Sequence, residues 1–273
     1  MDTTLDSVLA GGEAPLDGVV VAVTGAAGGI GSAVVRALHE CGASVAACDL
    51  DVERTRSLAS EYDDRVQDVH LDVTDERSVA AAIATVTGRF GPIDVLVNGA
   101  GLIHADPLLE LPLATWRKVF SINVEGALLV SQAVAQTMIA APVTDVARRG
   151  LIVNISSRGA TMGRPYSAAY GASKAALDHL TMSMSVALQA EQISCVSVYP
   201  GDVREGMLSY LMPDLARVQG RSVGEVAGER NYQSPEDFAS TLIDVVRAPG
   251  MSLTGSCVGA DRSVTSLSRS EVQ

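Results

Sequence analysis

The residues Val19-Val20-Val21-Ala22-Val23, followed by Thr24-Gly25-Ala26-Ala27-Gly28-Gly29-Ile30-Gly31, decide how the whole chain is read. Five apolar residues, four of them β-branched, describe a strand covered on both faces. The glycines after it describe a tight turn in which no Cβ keeps a ligand from the backbone. Apolar spacing over about 30–40 then describes a helix that begins inside the turn. A helix N-terminus offers free N–H groups and the positive end of its dipole, and a pyrophosphate binds both.

Outward from this stretch the same alternation continues. Short β-branched runs at 44–48, 66–71, 93–97, 151–155 and 193–198 are separated by helical spacing near 52–61, 75–88, 114–139 and 167–190. Alternating strands and helices predict an α/β fold of the single-domain Rossmann type: a doubly wound parallel sheet with helices on both faces. The domain is expected to run over 18–262, with a flexible leader at 1–17 and a flexible Ser-rich tail at 263–273. Two helical stretches, 126–141 and 172–190, are apolar nearly all round. An apolar surface that wide asks for a second partner, and a homo-oligomer, dimer or tetramer, is expected.

Composition narrows the partners. The 273 residues carry 20 Lys+Arg against 32 Asp+Glu, a formal net charge of −12. Such a chain repels phosphate backbones and anionic lipid, so neither nucleic acid nor membrane is expected as a partner. No apolar run reaches the length of a membrane span. Cys41, Cys48, Cys195 and Cys257 show no C-x-x-C spacing and read as free thiols of a reducing compartment, hence a cytoplasmic protein. His39, His70, His104 and His179 show no metal-ligand spacing, and no metal is expected.

The glycine turn makes Thr24, Gly25, Gly29, Ile30 and Gly31 candidate contacts of a dinucleotide. Asp49 ends the second strand, 18 positions past Gly31. A carboxylate there accepts hydrogen bonds from adenosine-ribose hydroxyls and repels a 2′-phosphate. The turn holds no Arg or Lys, and Leu50 and Asp51 follow Asp49, so NAD(H) is expected over NADP(H).

Further on stand Ser156-Ser157 and Tyr170-Gly-Ala-Ser-Lys174. Tyr170 and Lys174, four apart on a helix, share one face. A phenol ordinarily titrates near about 10, and an ammonium one turn away is expected to lower that value. Tyr170 then becomes a proton donor and acceptor for an alcohol–ketone pair. The chain has 18 arginines and two lysines, Lys118 and Lys174, so a lysine at 174 marks a position where a compact ammonium is required.

Taken in order, Thr24-Gly-x-x-x-Gly-Ile-Gly31, Asp49, Asp72-Val73, Asn98-Gly-Ala-Gly101, Asn123, Ser157, Tyr170-x-x-x-Lys174 and Pro200-Gly201 resemble the short-chain dehydrogenase/reductase family over about residues 18–260. The 13-residue step from Ser157 to Tyr170 matches the family's spacing and selects Ser157 over Ser156. The resemblance implies that Tyr170 exchanges the proton, Ser157 polarises the same substrate oxygen, Lys174 holds the nicotinamide ribose, and Asn123 supports a proton relay through Lys174. It places Asp72 and Val73 at the adenine, Asn98, Ala100 and Gly101 under the cofactor, and Pro200, Gly201 and Val203 against the nicotinamide. The chain departs from the family at Gly99, where an asparagine is frequent, and at Glu205, where a threonine is usual.

The expected substrate pocket draws on His104, Arg158, Met162, Tyr166 and Met207, in loops after the strand ends. Arg158 and Arg164 are candidates for a substrate carboxylate or phosphate, or for solvated ion pairs. The leading expectation is an NAD(H)-dependent oxidoreductase for a secondary alcohol and its ketone, of sugar-alcohol or hydroxy-acid type. The alternatives are a 3-oxoacyl-type ketoreductase and a non-catalytic dinucleotide-sensing protein. A scaffold built on the two apolar helices would leave the glycine turn unexplained.

Overall fold

A computed structural model describes residues 3–9, 15–142, 148–203, 207–228 and 232–267. Its main sheet runs, edge to edge, β1 (Thr3–Thr4), β11 (Ser263–Ser266), β10 (Ser256–Gly259), β7 (Ile193–Tyr199), β6 (Gly150–Ile155), β5 (Val95–Asn98), β2 (Val20–Thr24), β3 (Ser44–Asp49) and β4 (Val66–His70). From β10 to β4 every neighbouring pair is parallel. The four central strands β2, β5, β6 and β7 are buried along their whole length, which is why they read as unbroken apolar runs.

Helices cover both faces. On one lie α2 (Gly29–Glu40) and α10 (Pro235–Arg247), whose Val34, Leu38, Phe238 and Leu242 share a core with Val21, Val97 and Val153. On the other lie α4 (Glu76–Phe90) and α6 (Ala127–Ala140), whose Ile83, Val134 and Met138 pack on Ala22, Leu96 and Ile152. Alternate residues of each strand therefore serve opposite cores. The start of α10 follows from local sequence: Ser234 and Asp237 form a reciprocal capping box, with Pro235 opening the helix. Between β3 and β4 runs α3 (Val52–Ala59), capped by Asp51, which accepts the Arg54 N–H. The sheet is flanked further by α5 (Leu113–Phe120) and α7 (Ala168–Ala187).

The strand order reverses between β2 and β5. From β2 the chain builds outward through β3 and β4, then returns to β5 and builds the other way. Thr24 and Asn98, the last residues of β2 and β5, are paired in register. Both loops that leave them open into one crevice at the carboxyl edge, where open α/β sheets bind ligands.

Two sequence expectations need correction. The leader and the tail are not both loose ends. Thr3–Thr4 pairs antiparallel with Ser263–Val264, and α1 (Leu5–Val8) follows at once. Leu5 is fully buried in the α2/α10 core, and its N–H donates to Arg262 O at 2.8 Å. Arg262, placed at the domain's end, is the turn of the β10–β11 hairpin and pairs with Asp244 at 2.8 Å. One buried leucine and a strand pairing supply contacts that offset the entropy of ordering these short ends.

The helix expected over 114–139 is not uniform either. Between α5 and α6, Ser121–Gly126 form a wider π turn. A Cβ on Gly126 would lie 2.6 Å from Val73 Cγ2, so the closing turn packs against Val73 only because residue 126 is glycine.

Past β7 the chain forms β8 (Asp202–Val203), α8 (Met207–Gln219), α9 (Val223–Gly228) and β9 (Tyr232–Gln233), with β8 and β9 paired in parallel. Leu211, Met212, Leu215 and Val226 pack with Ala105 into a small core of their own. This two-helix cap stands over the crevice.

Candidate active site

Three close approaches shape the crevice. A Cβ on Gly31 would lie 2.1 Å from Gly25 O, so α2 can begin against the turn only with glycine at 31. Gly25 takes a positive φ of 72°, and a Cβ there would meet Gly99 O at 2.7 Å. Thr24 is buried, and its Oγ1 accepts the N–H groups of Gly99 and Ala100, both at 3.1 Å. The β2 and β5 turns are thus bolted to each other. Thr24 acts beneath the groove rather than on its wall. Asn98 does likewise: its amide donates to Ser131 Oγ and Asn154 Oδ1, each at 2.9 Å, inside the sheet–helix layer.

No side chain caps α2, whose N-cap is Gly28. Its first amides remain available to an anion. Asp49 steadies the turn from the neighbouring strand: Oδ2 accepts Ala27 N–H and Oδ1 accepts Asp51 N–H, both at 3.0 Å. A carboxylate has further lone pairs for a ribose hydroxyl.

The groove has two halves that share Gly25, Gly28, Gly29, Gly99 and Ile103. One half is lined by Asp49, Asp72, Val73, Ala100 and Gly101. Asp72 Oδ1 accepts both Thr74 N–H (2.9 Å) and Thr74 Oγ1–H (2.7 Å), which hold its carboxyl below the usual range and keep it charged. Arg54 on the same wall is paired with Asp51 at 3.4 Å. The other half is a cavity of about 280 Å³ lined by Ser157, Tyr170, Lys174, Pro200, Gly201 and Val203 with Ile30 and Gly31. Gly201 is pinned by its N–H to Gln233 Oε1 at 2.8 Å, through the β8–β9 pairing. Sequence reading missed Gln233, because a two-residue parallel contact leaves no periodic signal.

Ser157, Tyr170 and Lys174 line one cavity. Ser157, two residues past β6, is extended, and its Oγ accepts Gly159 N–H at 3.0 Å on the same cavity wall as Tyr170. The Lys174 ammonium lies 5.7 Å from the Tyr170 ring centre and donates to Ile155 O at 2.7 Å. Asn123 is buried in the π turn: Oδ1 accepts Leu102 N–H at 2.7 Å, and Nδ2 donates to Leu102 O (3.0 Å) and Ser173 Oγ (2.9 Å). Ser173 in turn donates to Tyr170 O at 2.8 Å. Asn123 thereby ties the β5 loop to the turn of α7 that carries the phenol.

The electrostatics differ from the expectation that Lys174 lowers the phenol. Burial raises the Tyr170 pKa, against the Ser157 hydrogen bond and the Arg164 charge, and Asp202 raises it further. Burial pushes Lys174 itself down to about 8, with Asp178 opposing. Asp178, one turn beyond Lys174, is a buried carboxyl raised by its burial; Ser197 Oγ (2.9 Å) and the Tyr199 phenol both donate to it. The i, i+4, i+8 row Tyr170, Lys174, Asp178 is legible in sequence, although Asp178 drew no notice there.

Of the expected substrate residues, Arg158 and Tyr166 stand on the cavity wall, with Arg164 and Leu211. His104 does not: its ring turns to Asp106, 2.9 Å away. Met162 points outward and is 58% exposed. Glu205 and the side chain of Met207 lie outside the described residues. Among the described residues no group of His, Cys, Asp and Glu could hold a metal, and no helix is long and apolar enough to cross a membrane.

A family model described as short chain dehydrogenase matches residues 19–216, which hold all the described lining residues of the groove except Gln219. The chain belongs to that family. It is accordingly an oxidoreductase acting on CH–OH groups with a nicotinamide dinucleotide. Among relatives, it is 37% identical over 188 residues to sorbitol dehydrogenase of Cereibacter sphaeroides, covering 69% of this chain and 72% of that one. It is 34% identical over 264 residues to cis-4-hydroxycyclohexanecarboxylate dehydrogenase of Sinomonas cyclohexanicum, covering 94% and 100%. A crystal structure of a short-chain type dehydrogenase/reductase from Mycobacterium marinum superposes with a TM-score of 0.78 at 27% identity, covering 94% of this chain and 97% of that one. This short-chain dehydrogenase shares the helix-flanked parallel sheet with that neighbour.

Proposed function

We propose that this short-chain dehydrogenase uses NAD(H) to interconvert a secondary alcohol and its ketone, on a substrate of sugar-alcohol or hydroxy-acid type. One observation carries the reading: Ser157, Tyr170 and Lys174 stand together on the wall of the same groove as the uncapped start of α2. Relatives named for sorbitol and for a hydroxycyclohexanecarboxylate support the two substrate types.

The NAD nicotinamide supplies the hydride acceptor and NADH the donor. In oxidation the carbinol C–H bond breaks, its electron pair leaves with the hydrogen as hydride, and the C=O bond forms as the O–H proton passes to Tyr170. Ser157 orients the oxygen by a hydrogen bond, and Lys174 would hold the nicotinamide ribose with donors left beside its bond to Ile155 O. The amides of α2 and Gly25–Gly31 hold the pyrophosphate. Asp49 takes the adenosine ribose, with Asp72 and Val73 at the adenine. Asn98 and Thr24 act by holding the turns in place.

Asp49 sets NAD(H) over NADP(H), since a 2′-phosphate would face a carboxylate at close range. The unpaired state of all four cysteines fits a reducing, cytoplasmic setting. The exposed Val186 on α7 and Ile139 on α6 support assembly into a dimer or tetramer.

A panel of secondary alcohols, each with NAD⁺ and with NADP⁺, tests this. The protein is expected to reduce NAD⁺ faster, and Asp49→Ala to narrow that preference at least about tenfold, or about 1.4 kcal/mol. The ratio is read because Asp49 also steadies the turn. Turnover of no alcohol, or a preference for NADP⁺ in the unaltered protein, overturns the proposal.

A further inference from the structure

The catalytic cavity carries two positive charges that proton and hydride transfer do not use. Arg158 directly follows Ser157, and Arg164 lies in the loop before α7; both line the cavity and reach solvent at its rim. Neither side chain makes a hydrogen bond or ion pair with any described residue. Most of the described arginines are engaged, with Arg77 on α4 and Arg117 on α5 as further exceptions. Acidic residues outnumber basic ones 32 to 20, and Arg36, Arg56, Arg65, Arg89 and Arg262 each stand within 4.0 Å of a carboxylate.

The acids near the pair leave it open. Asp202 faces the same cavity, and neither arginine is paired with it. Asp261 feels the Arg158 charge, but its Oδ1 already accepts Ser263 N–H (3.1 Å) and Ser263 Oγ–H (2.6 Å). With Lys174, the described residues of the wall carry three cations and the carboxylate of Asp202. A low-dielectric cleft lined by one sign of charge concentrates ligands of the other sign.

Much of the rest of the described wall is apolar, beside the polar side chains of Ser156, Tyr166, Ser167 and Gln219. Ile103, Ala105, Ile155, Leu211 and Leu215 offer no hydrogen-bonding side chains to a row of hydroxyls. They suit a compact hydrocarbon skeleton, whose burial is favourable. Arg164 and Tyr170 line the same cavity, so an anion held by Arg164 lies in the chamber that holds the reacting oxygen.

We infer that the substrate is a secondary alcohol on a compact apolar skeleton that also bears an anionic group, and that Arg158 and Arg164 receive this group while the hydroxyl lies against Ser157 and Tyr170. A guanidinium fork matches carboxylate and phosphate oxygens alike. The inference rests on the dehydrogenase reading above and narrows its substrate.

The test uses the protein saturated with NADH and three probes of one skeleton: cyclohexanecarboxylate, cyclohexyl phosphate and cyclohexanol, titrated by calorimetry. At least one anion is expected to bind at least about tenfold more tightly than the alcohol, and the better of the two names the natural group. In the Arg158→Gln/Arg164→Gln double variant the preference is expected to shrink at least about tenfold. Both positions are exposed, where substitutions leave the fold intact. Equal or better binding of cyclohexanol, or a preference that survives the double variant, overturns the inference. Failure of the protein to bind NADH at all overturns the dehydrogenase reading itself, and the inference with it.

Discussion

Tyr170→Phe is expected to lower kcat at least about 1,000-fold while changing the NADH dissociation constant less than about tenfold. Phenylalanine keeps the ring that fills the cavity and removes only the oxygen. Ser157 retains its contact with Gly159 N–H, and Lys174 retains Ile155 O, so the cofactor half of the groove is undisturbed. What disappears is the group that takes the hydroxyl proton as hydride leaves. The ligand-free pocket holds this phenol above its ordinary pKa because it is buried. Oxidation needs the phenolate, so alcohol turnover in the unaltered enzyme rises with pH; reduction needs the phenol, so ketone turnover falls with pH. Steady-state rates and NADH titrations on the same preparations decide the matter, and unimpaired turnover in the variant would remove Tyr170 from the chemistry.

Gly31→Ala is the second large effect. The new Cβ would sit 2.1 Å from Gly25 O and 2.8 Å from Ala26 Cα, both backbone atoms that cannot rotate away. Either α2 retreats or the turn shifts, and the amides aimed at the pyrophosphate shift with it. The overpacking is expected to cost about 1–3 kcal/mol of stability. Loss of one or two charge-assisted hydrogen bonds weakens NADH binding about 100-fold. Gly88→Ala, on the exposed side of α4 with nothing within 4 Å of its Cβ, supplies the control. It is expected to stabilise by about 0.5–1 kcal/mol and to leave NADH binding unchanged. Thermal melts and NADH titrations of the two variants separate a general cost of losing a glycine from the specific cost at the turn; equal behaviour would show that Gly31 has no special place.

What sequence showed and what it hid divide along the range of the interactions. The glycine turn, Asp49, and the Tyr170–Lys174 pair are local: strand, turn and helix succeed one another within a few residues, and spacing alone puts the groups on one face. The placing of Ser157 beside Tyr170 came only from the family resemblance, through the 13-residue step between them. The docking of Leu5 was not, because it depends on a two-residue strand meeting a partner about 260 positions away. The π turn was hidden because the apolar spacing continues across it, and only Gly126 against Val73 betrays it. Loop side chains were the least legible. His104 and Met162 sit in the right loops but turn to Asp106 and to solvent, while Arg158 and Arg164 turn to the cavity. The phenol's electrostatics were misjudged for a related reason: an i, i+4 ammonium is visible in sequence, whereas the desolvation that outweighs it depends on the cap and the loops that close the pocket.

The most direct measurement is a crystal structure of the NADH complex. The account predicts the nicotinamide between Tyr170 and Pro200–Gly201, its ribose on Lys174, and the adenosine ribose on Asp49. NADH bound with its nicotinamide away from Tyr170, or seated outside the groove, would contradict it.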